Sequence, residues 1–254
     1  MTGGRPARRW RSAQQSQSPY RREMHPLAVV LACCLLASPA DAARPLQTED
    51  AGVLDAGGCE VEGFTARARA LGSTARTHSL QGGCGVGAST QLAVAMAQAQ
   101  EGGSRARSFE LNAKTALWTR QAETGGDAAG LALAYAVAWA QPSGERQSPA
   151  TYAVNLAYSR ALGTALTLHG ALGHARDRVA DSRATTWGLA LEHAGFGVWA
   201  PMVEIFGDDR AAAWWNLGLR LNAVPEKFGL DVSYGRPVAG GRPALWTLGF
   251  KLAF

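Results

Sequence analysis

From Gly58 onward the sequence alternates. In the last stretch, Trp246, Leu248, Phe250, Leu252 and Phe254 share one parity, while Thr247, Gly249, Lys251 and Ala253 share the other. The same period of two sets Phe228, Leu230, Val232 and Tyr234 against Gly229, Asp231, Ser233 and Gly235. It recurs in 215–222 and 152–159, and in 131–140, where Leu131, Leu133, Tyr135, Val137 and Trp139 alternate with alanines. Alanine and leucine favour helices. In a helix, however, the bulky residues of 131–139 would scatter around the axis instead of lining one face. A period of two predicts β-strands. About twelve are expected, near 59–68, 75–86, 90–99, 106–118, 130–140, 150–160, 164–173, 184–193, 198–206, 212–222, 227–235 and 244–254. The first two carry the weakest pattern, and without them ten remain.

A soluble sandwich also alternates, with its apolar face turned to a core. Three features point instead to an all-β, antiparallel transmembrane barrel. Nearly every segment reaches the ~9–11 residues that cross a bilayer when tilted. Bulky apolar positions alternate with Gly, Ala and polar ones, as lipid outside and a polar lumen inside require. Trp118, Trp139, Tyr152, Trp199, Trp215 and Tyr234 fall near segment ends, where interfacial aromatic girdles form. Closure leaves no unpaired strand edge in hydrocarbon. With both termini in the periplasm the strand number must be even. Short links are expected at 87–89, 161–164, 194–197 and 223–226, and longer ones at 141–149, 174–183 and 236–242. The long link 121–129 and the tight turn at Leu71-Gly72 depart from that rule.

The N-terminal part reads differently. Leu27–Ala37 is an apolar run too short for a membrane helix, which needs roughly 20 residues. Arginines precede it and Ser38-Pro39-Ala40-Asp41-Ala42-Ala43 follows, the layout of a secretory signal peptide cleaved after Ala42 or Ala43. Translation could start at Met1 or at Met24. The expected organisation is an extension and signal peptide over 1–43, a periplasmic segment over 44–57, and the barrel over 58–254. The charge excess, 25 Lys+Arg against 20 Asp+Glu, lies mostly in the leader, which holds Arg5, Arg8, Arg9, Arg11, Arg21 and Arg22 against Glu23 and Asp41. The remainder is close to neutral, so the basic pI gives no argument for nucleic-acid binding. Cys33 and Cys34 leave with the signal. Cys59 and Cys84 remain, in a chain exported to an oxidising compartment. A tight hairpin centred between Leu71 and Gly72 sets them opposite each other, within disulfide reach. The alternative is two independent thiols.

The C-terminal strand resembles that of Gram-negative outer-membrane β-barrel proteins, which end in Phe with apolar residues at alternate positions before it. Trp246, Leu248, Phe250, Leu252 and Phe254 fit without a gap. The resemblance implies residence in the outer membrane and recognition of that strand by the barrel-assembly machinery. A second likeness covers Arg44-Pro45-Leu46-Gln47-Thr48-Glu49-Asp50-Ala51. It is similar to the "RPL-x-T-x-DA" opening of outer-membrane proteins associated with phenol and aromatic meta-pathway degradation. That likeness implies admission of apolar organic compounds.

Alternation turns Glu110, Lys114, Glu192, Glu204, Arg220, Asp231 and Lys251 toward the lumen. Charges inside a membrane span must face water or one another. These residues either line a polar pore or pair with one another and plug a narrow barrel. A barrel of this size lies between the filled eight-strand case and the open channels of ~16 strands. Catalysis finds little support. Barrel enzymes such as outer-membrane phospholipase A and lipid A deacylase set a serine beside a histidine, whereas Thr77-His78-Ser79 puts His and Ser on opposite faces and His169 points inward. No histidine pair has metal-ligand spacing. Arg176, Arg178 and Arg183, with Asp177 and Asp181, form a charged loop that could meet lipopolysaccharide phosphates but reads as solvated charge. The expected function is non-enzymatic: passive passage or uptake of small molecules, with apolar ones as one option, without cofactor or metal. Expected partners are outer-membrane lipid and lipopolysaccharide, the barrel-assembly machinery and small apolar substrates. A closed structural or adhesive barrel, and a lipid-modifying enzyme, are the alternatives.

Overall fold

The computed structural model describes residues 46–70, 73–121, 128–142, 148–178, 180–193 and 196–254. The signal peptide, Cys33, Cys34 and the Leu71-Gly72 turn lie outside the described residues.

Twelve antiparallel strands close into one barrel. They are β1 Cys59–Ala70, β2 Ser73–Gly87, β3 Thr90–Glu101, β4 Ser104–Arg120, β5 Ala129–Pro142, β6 Ser148–Leu162, β7 Leu166–Asp177, β8 Ser182–His193, β9 Trp199–Asp208, β10 Trp214–Val224, β11 Phe228–Pro237 and β12 Ala244–Ala253. Each pairs with its sequence neighbours, and β12 closes on β1 from Glu60↔Ala253 to Arg69↔Ala244. The number is twelve, not ten. β1 and β2, weakest in pattern, pair without interruption from Cys59↔Cys84 to Ala70↔Ser73.

One rim carries the start of β1 and the end of β12, and is called here the terminal rim; the other is the far rim. At the terminal rim β2 turns into β3 through Ala88 and Ser89, both at positive φ (51° and 53°). At the far rim β3 turns into β4 through Gly102 and Gly103 (54° and 91°). Two consecutive positive-φ residues make the mirror-image turn whose twist suits a two-residue hairpin. The expected 174–183 loop is shorter than predicted, because β7 runs on to Asp177 and β8 starts at Ser182. His174 therefore sits within a strand.

The outer face is apolar and exposed: Leu80, Leu92, Met96, Leu172, Leu189, Leu217 and Leu248 are all turned to the surroundings. A continuous belt of this kind on a closed barrel is lipid-facing surface. Trp215 and Tyr234 touch edge to face at 5.7 Å, and Tyr234 touches Trp246 at 4.4 Å. All three belong to the far rim, while Trp118 and Trp199 mark the terminal one. Cys59 and Cys84 are disulfide-bonded across the first hairpin, Cα–Cα 4.1 Å. Cys59 also exchanges two 2.9 Å backbone hydrogen bonds with Phe254. The bridge thus ties β2 to the strand on which β12 closes the barrel.

Inside, Ala132, Ala134, Ala136, Ala138 and Ala140 line β5, all buried. Gln81, Gln91, Asn112, Asn216, Ser233 and Thr247 are buried on other strands. The alternation that separates the faces follows from the pleat.

Candidate functional site: a segment inside the lumen

The seven lumen candidates all lie on the inner face, in four clusters and two separate positions. Two of them, Glu204 and Lys114, hold a stretch that lies outside the sheet. Residues 46–56, within the 44–57 stretch expected as a periplasmic segment, run along the inside of the wall from β9 back to β2. A polar, strand-like peptide leaves its backbone donors unmatched unless the wall supplies acceptors, and the wall does so.

Leu46 packs against Ala190, Ala200 and Met202. The Gln47 amide donates to both oxygens of Glu204 (2.8 and 2.9 Å). The Thr48 amide and hydroxyl donate to Glu204 Oε2 at 2.8 and 2.9 Å. Asn216 Nδ2 donates to Glu204 Oε1 at 2.7 Å. A carboxylate that is 2 % exposed is costly unless its lone pairs are filled. Glu204 therefore needs the segment as much as the segment needs Glu204.

Lys114 holds the next two residues. Its Nζ lies 2.8 Å from Glu49 Oε1, 3.4 Å from Asp50 Oδ1 and 3.2 Å from the Asp50 carbonyl. Its side chain is 1 % exposed, so water is excluded at this level. Further along, the Ala51 amide donates to Ser159 Oγ at 2.9 Å and the Leu54 amide to Gln91 Oε1 at 2.7 Å. Ala56 then bridges Gly85 in parallel, and Gly57, at φ 84°, turns the chain into β1.

Three glycines make room for it. A Cβ at Gly188 would stand 2.5 Å from Thr48 Oγ1, one at Gly130 would stand 3.3 Å from Ala51 Cβ, and one at Gly85 would stand 2.1 Å from the Asp55 carbonyl. At Gly188 and Gly85 the wall is carved to the backbone where the segment passes.

The remaining candidates pair within the wall. Arg220 reaches Glu192 at 3.3 Å, and His169 Nε2 is 3.7 Å from the other Glu192 oxygen. Lys251 bonds Glu60 and lies 3.5 Å from Glu62. Asp231 stands opposite Arg220 in the β10–β11 register, and its carboxylate fills the space beside Gly249. Glu110 is buried between Ala95 of β3 and Ala138 of β5.

Sequence spacing misses one contact. Ser159 and His169 are register partners on β6 and β7, and Ser159 Oγ lies 2.8 Å from His169 Nδ1. With Glu192 beyond, the order serine–histidine–carboxylate resembles a hydrolytic relay. The 3.7 Å contact is too long for a hydrogen bond, and Ser159 Oγ lies under the Ala51 amide. The hydroxyl anchors the segment. Strand register, not sequence proximity, creates the pair. Gln91 and Asn216 escape the sequence reading for a different reason, since uncharged lumen residues carry no signal of their own.

A family model matches residues 30–254, described as "Uncharacterised conserved protein UCP029691". The chain belongs to that family. The matched span takes in the internal segment together with all twelve strands. No curated protein matches the chain by sequence. Among solved structures it is similar to the KdgM porin in complex with disordered oligogalacturonate, with TM-score 0.57 and 11% identity, covering 77% of this chain and 99% of that one. It is also similar to the COG4313 outer membrane channel from Pseudomonas putida F1, with TM-score 0.52 and 12% identity, covering 81% of this chain and 98% of that one. At such identities the likeness concerns the fold, that of an outer-membrane β-barrel. A closed sheet with a lipid-facing belt belongs in that membrane.

Proposed function

We propose that this member of the family is a passive outer-membrane channel for small molecules, closed at rest by its own residues 46–56. The observation that carries the reading is that this segment lies inside the barrel against its wall without joining the strand ladder. Its contacts are hydrogen bonds and ion pairs to side chains, apart from the bridge at Ala56 and the backbone bonds of Gly57 and Gly58 beside it. It can leave while the sheet stays closed. The charged lining (Glu110, Lys114, Glu204, Arg220, Asp231) favours small polar solutes through the lumen. Apolar compounds, suggested by the likeness of residues 44–51, would pass only if the displaced segment exposed Leu46 and its alanine pocket. We read the protein as non-enzymatic, because Ser159 is occupied by Ala51. The outward stripe ending at Phe254 is the assembly signal in this reading.

A second reading is a permanently closed structural barrel. It is favoured by the saturated contacts of Glu204 and Lys114. Planar-bilayer conductance separates the two, using refolded protein and a variant lacking residues 44–55. Folding is checked in each by a heat-dependent shift in gel mobility. A low or intermittent conductance that becomes a large steady step in the variant is expected. Equal conductance in both would show that the segment does not gate. Silence from two folded barrels would leave the structural reading.

A further inference from the structure

The outer face is not uniformly apolar. On β1–β5 it changes in rows from mid-membrane to the far rim. The first row is Leu80, Met96, Phe109 and Trp139, neighbours in strand register. The next is Thr65, His78, Gln98, Arg107 and Gln141, again register partners. The outermost is Arg67, Arg76, Gln100 and Arg105. A groove of about 550 Å³ lies across the first two rows, with Leu80, Met96 and Phe109 below and His78, Gln98 and Arg107 above.

Arg67 and Arg76 face each other directly across β1 and β2. Like charges so placed repel. No outward position of β12 or of β1–β5 is an Asp or Glu, and Arg67, Arg76, Arg105 and Arg107 make no ion pair among the described residues. At the other end of the same strands the outward residues include Val61, Val86, Leu92 and Trp118, with Arg120 a single cation at the end of β4 rather than part of a basic row. The basic rows thus belong to one rim. The even strand count puts both termini on one side; with that side in the periplasm, as export through a signal peptide implies, the far rim meets the outer leaflet. Four guanidiniums beside hydrocarbon with no acidic partner among the described residues are tolerable when an anion sits among them, and a phosphate can accept two parallel bonds from a guanidinium.

We propose that this patch binds a phosphorylated glycolipid of the outer leaflet, the lipid A part of lipopolysaccharide. Its phosphates lie on Arg67, Arg76, Arg105 and Arg107. One acyl chain runs down the groove over Leu80, Met96 and Phe109. The row order, basic then polar then apolar, is that of the lipid itself.

The test is native mass spectrometry of refolded protein in neutral detergent, with purified bisphosphorylated lipid A and its dephosphorylated form as probes. Wild type should retain the phosphorylated lipid on the order of tenfold better than the dephosphorylated one. The Arg76→Gln/Arg107→Gln variant should lose most of that preference, whereas Arg176→Gln, on the opposite side of the barrel, should keep it. Millimolar inorganic phosphate should not displace the lipid, because the chain in the groove contributes to binding. Equal retention of the two lipids, an unaltered preference in the double variant, or displacement by inorganic phosphate would each overturn the proposal. If the double variant does not fold, the comparison of the two lipids on wild type still decides.

Discussion

Lys114 and Lys251 are each held by two carboxylates inside the same barrel, yet they do different things. Lys251 joins wall to wall: its partners Glu60 and Glu62 lie on the neighbouring strand, with Glu62 directly opposite in register. Its side chain is 39 % exposed, so water shares in its solvation. Lys114 joins wall to segment. Its partners Glu49 and Asp50 belong to no strand, and it is almost wholly enclosed. An ion pair inside the ladder adds to a position that backbone hydrogen bonds already fix. An ion pair outside it determines where a stretch of chain lies. The same chemistry is structural in one place and positional in the other.

That contrast predicts which observable each change moves. The largest effect belongs to Lys114→Met, which leaves Glu49 and Asp50 facing a dry wall. Breaking a buried pair in this way costs about 3–5 kcal/mol, and the loss falls on the segment. Bilayer conductance should rise to that of the variant lacking 44–55, while the thermal midpoint of the barrel changes little. Wild-type conductance in the folded variant would mean that Glu204 and Ser159 suffice to hold the segment.

Replacing Cys59 and Cys84 by Ser should lower barrel stability by about 3 kcal/mol without opening the lumen. The bridge ties β1 to β2 and is separate from the contacts by which Glu204, Lys114 and Ser159 hold the segment. Thermal melting with and without reductant checks this, and a change in conductance would break the separation of wall from segment.

Gly188→Val sharpens the comparison from the other side, since it leaves every charge in place. The added methyls occupy the site of Thr48, at a cost of about 1–3 kcal/mol. The segment should be displaced in a fraction of molecules and give intermittent openings. A conductance record indistinguishable from wild type would show that the wall yields there instead.

The smallest effect on the segment is expected from Lys251→Met: the lysine is reached by solvent but Glu60 and Glu62 are buried, so a loss of about 1–3 kcal/mol falls on barrel melting. Conductance should not change. A conductance increase equal to that of Lys114→Met would remove the distinction between the two lysines.

The outer face was legible because lipid acts on every strand alike. Leu248 and Leu217 alternate with Thr247 and Gly218 for one reason, and a period of two reports it. The inward assignment of Glu204, Lys114 and Lys251 came from the same rule. Their partners did not. Lys114 meets Glu49 across 65 residues of sequence, and Glu204 meets Thr48 across 156. Both contacts depend on a peptide that enters the barrel, and nothing in its own pattern marks it as internal. Ser159 beside His169 is a matter of register across a hairpin, which alternation leaves undetermined by an even number of residues.

The sequence by itself determined the barrel, its membrane, its two faces and the Cys59–Cys84 bridge. The barrel and its faces rest on local periodicity, the membrane on the resemblance of the strand ending at Phe254 to outer-membrane barrels, and the bridge on a hairpin whose centre lies midway between the cysteines. Only the tertiary structure decided the content of the lumen and the arginine rows at the far rim. A closed sheet brings together residues from strands distant in sequence, and whether a cylinder is open depends on the volume left inside it. No stretch of sequence carries that quantity by itself.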